Sequence, residues 1–227
     1  MTHGHDRDHY LYLLLALCLQ LIADPFLGRS AEADIVRAAL STLTLAAAVY
    51  VAGVGRRRLA IVLALGCFAF LGIWYVVIVE PDYALAMISV SALLAFNFLV
   101  IWLVLASLFR ATKVMTNTIY GAISAYMLLG FSFAVLYTFM ETFWPGSILV
   151  DPMRQPGGNL VSSDIVYFSF AVQTTLGFGD VTPVSPHARS FAALQAIIGV
   201  FYIAILIARF ISMYVAHSSV PQSGSNA

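Results

Sequence analysis

Six long apolar segments limit what this chain of 227 residues can fold into. A helix of roughly 20 apolar residues crosses a hydrocarbon core about 30 Å thick, and most of the segments reach that length. Hydrophobic residues make up 61% of the chain and charged residues 10%, which is outside the range of soluble domains. None of the segments alternates polar and apolar residues, so we predict helices rather than barrel strands. The predicted spans cover residues 10–23, 35–54, 59–79, 84–109, 118–143 and 191–214.

The positions of lysine and arginine predict how these spans are oriented. With a cytoplasmic N-terminus, most basic residues fall on the inner side, as the positive-inside rule requires. We therefore expect a multi-pass protein of the cell membrane with both termini in the cytoplasm. The inner side receives Arg7, Arg56, Arg57, Arg58, Arg110, Lys113 and Arg209, and the outer side receives Arg29, Arg37, Arg154 and Arg189.

The first apolar segment leaves an alternative open. Ala31 and Ala33 form a small-residue pattern of the kind that signal peptidase cleaves. The residues before the segment include Asp6 and Asp8 beside Arg7, however, which is a poor positive leader. We therefore expect the first helix to be retained.

The connection between the fifth and sixth spans changes character halfway. Residues 145–158 are rich in proline and glycine and predict an exposed extracellular turret. Ser162 and Ser163 are candidate N-caps of a helix, and Asp164 in its first turn suits the helix dipole. A helix over 165–174 is too short to span a bilayer, so we expect it to enter the membrane and return.

The sequence TTLGFGD at 174–180 follows this short helix. Gly177 and Gly179 are two positions apart, and glycine adopts positive φ at little cost. Alternate residues in that conformation turn successive carbonyl groups toward one axis and direct the intervening side chains away. A stack of such oxygens replaces the water around an entering cation, and the hydroxyl of Thr175 can add to it. The expected ion-binding residues are Thr175, Leu176, Gly177, Phe178 and Gly179.

This segment resembles the selectivity filter of the potassium channel family, whose signature T-V-G-Y-G is here T-L-G-F-G. The resemblance extends to Thr174 before the filter, to Asp180 and Pro183 behind it, and to Arg189 and Gly199 in the last helix. It implies an all-α membrane protein of six transmembrane helices. A re-entrant pore helix and a selectivity-filter loop would lie between helices 5 and 6.

The same resemblance implies a division of the chain into three parts. Residues 1–114 would form a four-helix peripheral module, residues 115–216 the pore domain, and residues 217–227 a disordered cytoplasmic tail. The sequence holds one pore loop without an internal repeat, so four copies must surround a shared axis as a homotetramer in the lipid bilayer. Potassium would be the permeant ion, and we expect no cofactor, no nucleic-acid partner and no enzymatic activity.

Support of the filter is expected to depart from the family pattern. Phe178 replaces the usual tyrosine, so the hydroxyl that ties the filter to the pore-helix aromatics is absent. Tyr167 is the candidate to restore a hydrogen bond, through Asp180, and Thr174 precedes the filter. We expect Phe178→Tyr to slow any loss of current during sustained opening.

Four further residues carry two interpretations each. Gly199 is either the gating hinge of the last helix or a site of close helix packing. Glu141, at the outer end of the fifth helix, either holds the loop after the filter or faces the headgroups. Arg189 either pairs with an acid near the outer mouth of a neighbouring subunit or is a surface cation. Arg209 is expected to reach the cytoplasmic interface rather than line the pore.

The first four spans resemble the layout of a voltage-sensing module, but the charges of a sensor are missing. A sensor repeats Arg or Lys every third residue on its fourth helix, whereas residues 84–109 contain neither. We therefore expect weak or no voltage dependence, in a bacterial-type channel that lacks sensor arginines. A potassium-selective tetrameric channel is the favoured function. A nonselective cation channel and a non-conducting membrane subunit remain the alternatives.

Overall fold

The computed structural model describes residues 9–27, 30–51, 56–79, 83–111, 115–151, 153 and 160–218. Within these ranges the chain is almost entirely helical, with one 3-10 turn at Asp24–Phe26 and two short strands. The helices are α1 His9–Ala23, α2 Ala31–Val51, α3 Arg56–Val79, α4 Tyr83–Arg110, α5 Thr116–Phe143, α6 Ser162–Gln173 and α7 Pro186–Ser218. The strands are β1 Ile148–Val150 and β2 Val181–Pro183.

Five helices in the described part of the chain are long and apolar enough to cross a membrane, judged by length and composition. They are α1, α2, α4, α5 and α7. The apolar section described in α3, Leu59–Tyr75, is shorter. These helices are consistent with an all-α membrane protein, and the assignment of α3 as a sixth span stays a prediction.

Helix α1 is an integral part of the bundle. Leu13 and Leu17 are completely buried, and α1 packs against both α2 and α5. Its first turn is also fixed by polar contacts, because the backbone N–H of Tyr10 donates to Asn117 Oδ1 at 3.2 Å. The Tyr10 hydroxyl lies 2.7 Å from the hydroxyl of Ser107, which joins α1 to the end of α4.

An arginine joins the ends of α1 and α2 at the predicted outer side of the bundle. Arg37 pairs with Asp24 through Nε at 2.9 Å and with Asp34 through Nη1 at 2.8 Å. Its Nη2 donates to the carbonyl oxygen of Leu27 at 2.9 Å. Asp24 is buried, so this pairing removes much of the cost of placing its charge away from water.

Arg209 performs a similar role at the opposite end. Its Nη2 donates to the carbonyl oxygens of Phe109 and Ala111, both at 3.0 Å. These carbonyls stand at the C-terminal end of α4, where backbone acceptors lack helical partners and a cation is favoured. The long side chain expected to reach the interface therefore connects α7 with α4.

The structure adds limited detail to the predicted division into parts. Helix α5 begins at Thr116, close to the expected start of the pore domain, and α7 continues to Ser218, two residues beyond its expected end. Residues 112–114 and 219–227 lie outside the described ranges, so the linker and most of the tail remain predictions.

Candidate ion-conduction site

The helix that leads into the site begins three residues earlier than the sequence suggested. Helix α6 spans Ser162–Gln173, so Ser162 and Ser163 lie inside it and the expectation that they are N-caps is wrong. Val161 occupies the N-cap position in an extended conformation. The carboxylate of Asp164 accepts the backbone N–H of Val161 at 3.0 Å. This bond satisfies a free donor at the helix start, which a serine cap was expected to do.

Helix α6 descends along α5 and stops about halfway down it. The Ser169 hydroxyl donates to the carbonyl oxygen of Gly130 at 2.7 Å, and the rings of Phe131 and Phe170 meet edge to face at 5.3 Å. Gly130 lies 13 residues before Phe143, a rise of about 20 Å from the end of α5. The C-terminal end of α6 therefore lies near the middle of α5, the most buried of the candidate membrane helices.

The end of α6 has the hydrogen-bond pattern of a Schellman motif. The N–H of Thr175 donates to the carbonyl of Val172 at 3.0 Å, and the N–H of Leu176 donates to that of Ala171 at 2.8 Å. The hydroxyl of Thr174 donates to the carbonyl of Phe170 at 2.7 Å. The position that this motif places in the left-handed region is Thr175, with φ of 58°, where a glycine is usual.

Left-handed residues then alternate along the segment that follows. Thr175, Gly177 and Gly179 have φ of 58°, 55° and 78°, and the intervening Leu176 and Phe178 do not have positive φ. This alternation is the backbone pattern that turns successive carbonyls to one side of an extended chain. It includes the two glycines expected from the sequence. It also includes Thr175, for which the left-handed conformation costs about 1–2 kcal/mol because its Cβ lies close to the following carbonyl oxygen.

The same segment is uncovered in a single chain. Leu176 is 52% exposed and Phe178 is 61% exposed. Within the described part of the chain, no hydrogen bond pairs the backbone N–H of Gly177, Phe178 or Gly179. Such a backbone at the middle of a membrane bundle must be buried in protein or line water, because lipid cannot satisfy its polar groups.

A tyrosine and an aspartate meet beside this segment. The Tyr167 hydroxyl lies 3.0 and 2.9 Å from the two carboxylate oxygens of Asp180 and donates to them. Asp180 also accepts the backbone N–H of Val181 at 3.1 Å through Oδ1. The hydrogen bond expected from the sequence is therefore present, and it joins α6 to the residue behind the two glycines.

The outer end of the segment is held by a small sheet that the sequence analysis missed. Strand β1 pairs antiparallel with β2, and Ile148 lies opposite Pro183. The expectation that residues 145–158 are an exposed turret is wrong for the first part, since Ile148 and Val150 are buried. Ile148 and Val150, at alternate positions of β1, turn their apolar side chains toward the helices. The hydrogen bonds between β1 and β2 fix the position at which the segment leaves the helical bundle.

Glu141 holds the turn that leads into β1. Its carboxylate accepts the backbone N–H of Gly146 at 2.6 Å and that of Ile148 at 3.1 Å. The residue therefore supports the loop after the glycines indirectly, through β1 and its pairing with β2. At the other side of β2, Arg189 Nε donates to the carbonyl of Pro183 at 3.3 Å. Pairing of Arg189 with a neighbouring subunit stays a prediction.

Gly199 lies directly against the end of α6. A Cβ atom at this position would overlap the backbone carbonyl oxygen of Gln173. Only glycine lets α7 approach α6 this closely, so the packing role follows from the geometry. The hinge role stays a prediction.

A buried polar cluster behind the segment was also missed. Tyr137 on α5, Ser169 and Gln173 on α6, and Gln195 on α7 are each at most 1% exposed. The signal available in the sequence was two glutamines in otherwise apolar helices, which are uncommon without polar partners. Their partners are far apart along the chain, however, and could not be assigned by spacing.

Comparison with known families bears on this arrangement. Residues 122–216 match the family model of an ion channel. The match begins in α5 and includes β1, α6, the segment 174–180, β2 and nearly all of α7. It supports an ion channel family, which is not a class of enzymes, and passive conduction of ions across a membrane. No curated protein and no solved structure matches the chain.

Proposed function

We propose that this protein is a potassium-selective channel that conducts K⁺ passively as a homotetramer. The observation that carries the proposal is the alternation of left-handed residues at Thr175, Gly177 and Gly179. Four such segments around one axis would offer rings of carbonyl oxygens to an ion that has lost its water. The ion would contact oxygens of Thr175, Leu176, Gly177, Phe178 and Gly179.

Assembly around an axis is supported by what a single chain leaves uncovered. The backbone of Gly177, Phe178 and Gly179 has no described hydrogen-bond partner, and the long α7 is mostly exposed. Lipid can cover the apolar side chains of α7, but it cannot satisfy a bare peptide backbone. Three further copies facing the same axis would bury Phe178 and leave only the carbonyls toward water and ions.

The negative end of α6 adds to the attraction for a cation. Helix α6 is 12 residues long, and its C-terminal end lies immediately before Thr175. The aligned peptide dipoles of a helix correspond to roughly half a negative charge at its C-terminal end. Four such ends near the membrane centre would stabilise a monovalent cation where water is scarce.

Weak voltage dependence is part of the proposal. In α4, the residues before Arg110 include no lysine or arginine. Moving one charge through the membrane field is worth about 2.3 kcal/mol per 100 mV, so a helix without charges gains nothing from it. Orientation in the cell membrane with both termini in the cytoplasm rests on the positive-inside rule.

Recording from the reconstituted protein tests the proposal. The full chain is purified, its mass in detergent is measured, and single channels are recorded with potassium on one side and sodium on the other. A tetramer whose reversal potential lies far from zero is expected, with conductance that is nearly flat against voltage. A reversal potential near zero would identify a nonselective cation channel, and a tetramer without flux would identify a non-conducting subunit.

A pair of glycine variants controls for folding. Gly179 and Gly146 both have positive φ, of 78° and 82°, and neither has an atom within 4 Å of an added Cβ. Gly179→Ala should abolish potassium flux, because the carbonyl stack loses its geometry. Gly146→Ala carries similar backbone strain in the turn that Glu141 holds, which is linked to the segment indirectly, through β1, and it should change selectivity far less than Gly179→Ala.

A further inference from the structure

Residues 174–180 are called the filter segment, and the buried polar cluster behind them is centred on one side chain. Gln195 lies on α7 and is completely buried. Its Nε2 donates to the carbonyl of Ser169 at 3.0 Å and to the hydroxyl of Ser169 at 2.9 Å. Its Oε1 accepts the hydroxyl of Tyr137 at 2.8 Å. This single amide therefore joins the three helices α5, α6 and α7.

The contacts determine which way the amide of Gln195 points. A backbone carbonyl only accepts hydrogen bonds, so the atom that faces the carbonyl of Ser169 must be the nitrogen. The oxygen then faces Tyr137, whose hydroxyl can donate. Ser169 uses its own proton for Gly130, so each member of the chain from Tyr137 to Gly130 has a donor and an acceptor that match.

The cluster continues to Gln173, the last residue of α6. Gln195 Nε2 lies 3.3 Å from Gln173 Oε1. The Nε2 of Gln173 donates to the carbonyl of Tyr126 at 2.7 Å, and the Tyr126 hydroxyl donates back to the carbonyl of Gln173 at 3.2 Å. Gly199, one turn along α7 from Gln195, lets the backbone of α7 rest against that same carbonyl. The last turn of α6 is thereby fixed in depth and rotation.

We propose that Gln195 is a positioning residue for ion selection. Through its amide, the inner helix α7 holds the last turn of α6, and with it the start of the carbonyl stack at Thr175. Phe178 has no hydroxyl that could hold the carbonyl stack from its outer face. The position of the stack therefore depends more on the contacts between Gln195 and α6. The proposal rests on the potassium-channel function proposed above and names the contact on which its selectivity depends.

Gln195→Met tests this role. Methionine is unbranched and of similar size, so it keeps the packing while it removes every hydrogen bond of the amide. We expect the ratio of potassium to sodium permeability to fall about 25-fold or more, because at least two buried hydrogen bonds are lost and each is equivalent to about fivefold. The measurement is the reversal potential of the purified tetramer with potassium facing sodium.

Gln20→Met is the matched control. Gln20 lies on α1 and accepts the hydroxyl of Thr44 at 2.9 Å, away from the filter segment. This variant should lower the melting temperature of the tetramer while its permeability ratio stays that of the wild type. If Gln195→Met also changes only the melting temperature, the role of Gln195 is structural and the proposal is overturned.

A milder variant covers the case in which Gln195→Met does not assemble. Tyr137→Phe removes one hydroxyl and leaves Gln195 with its bonds to Ser169. It should lower the permeability ratio about fivefold, the equivalent of one hydrogen bond, and an unchanged ratio overturns the proposal. The measurement on the wild type distinguishes a failure of the proposed function from a failure of the role of Gln195. A nonselective wild type contradicts the proposed function, whereas a selective wild type with equally selective variants contradicts only the role of Gln195.

Discussion

The Tyr167 hydroxyl donates to both carboxylate oxygens of Asp180, across 13 positions of the chain. The bond joins the middle of α6 to the residue that follows Gly179, at the outer end of the filter segment. A hydrogen bond to a carboxylate is worth about 1.5–3 kcal/mol, which is more than a neutral one. The outer end of the segment is therefore tied to α6 as well as to β1.

Removal of this bond should make the conducting state shorter-lived. Tyr167→Phe leaves Asp180 without its aromatic donor, and we expect current during sustained opening to decay about tenfold faster. Patch recording of the reconstituted channel measures the decay. Tyr10→Phe is the control, because the Tyr10 hydroxyl contacts Ser107 in the peripheral helices. An equal decay in both variants and in the wild type would contradict this role of Tyr167.

A hydroxyl added on the filter itself should have the opposite effect. Phe178 is 61% exposed in a single chain, so the hydroxyl of Phe178→Tyr would lie at the surface that a neighbouring copy covers in the proposed tetramer. We expect slower loss of current than in the wild type, because the stack gains support from outside. Decay at the wild-type rate in the same recordings would rule this out.

We expect Thr175 to contribute to ion binding although its backbone conformation is strained. Its φ of 58° costs about 1–2 kcal/mol for a residue with a Cβ, and Thr175→Gly removes that cost together with the hydroxyl. The tetramer of this variant should melt higher in sodium than the wild type, but lose the rise in melting temperature that potassium gives.

Thr174→Gly is the matched control for that experiment. Thr174 has φ of −89°, where glycine relieves no strain, so this variant should melt lower in sodium. A persistent rise in melting temperature with potassium in Thr175→Gly would show that the hydroxyl of Thr175 does not contribute to ion binding.

Gly199→Ala distinguishes close packing from a hinge. The added methyl group would overlap the Gln173 carbonyl, so packing predicts that α7 moves away from α6, the tetramer melts lower and selectivity falls. A hinge predicts an unchanged melting temperature with fewer openings. Gly66→Ala serves as the control, because the three atoms nearest to its Cβ all belong to side chains, Phe96 at 3.1 Å and Val49 at 3.5 Å, rather than to the backbone.

The ion pair at the outer end of α1 and α2 should stabilise the fold. Arg37→Gln removes the partner of Oδ1 in the buried carboxylate of Asp24. The other oxygen of this carboxylate, Oδ2, is already buried without a hydrogen-bond partner among the described residues. We expect a loss of about 1–3 kcal/mol in stability, measured by thermal melting. Asp34→Asn removes only the exposed half of the cluster and should change the melting temperature far less.

The parts of the site that depend on local chemistry could be predicted from the sequence. The spacing of Gly177 and Gly179 predicted positive φ at both, because few other residues tolerate it. The short helix before them was predicted within three residues of its observed limits, although the N-cap proved to be Val161. Asp164 in the first turn was predicted because the charge suits any helix start.

The parts that depend on long-range contacts could not be predicted. Strand β1 is only three residues long, and its partner lies more than 30 residues away beyond α6. The partners of Gln195 lie 22 to 58 residues away on two other helices. No spacing rule links such positions, so the sequence could reveal the unusual glutamines but not what they bind.

The guanidinium of Arg209 has a consequence for how the inner ends of the helices can move. Because it bonds to the last carbonyls of α4, the lower half of α7 cannot swing outward unless it drags α4 along or breaks both contacts. Each of the two hydrogen bonds is worth at most about 1.5–3 kcal/mol, because water reaches part of the guanidinium. In the proposed channel, a widening of the inner entrance would therefore require that these contacts break or that α4 moves with α7, although the two helices are joined by residues about 100 positions apart in sequence.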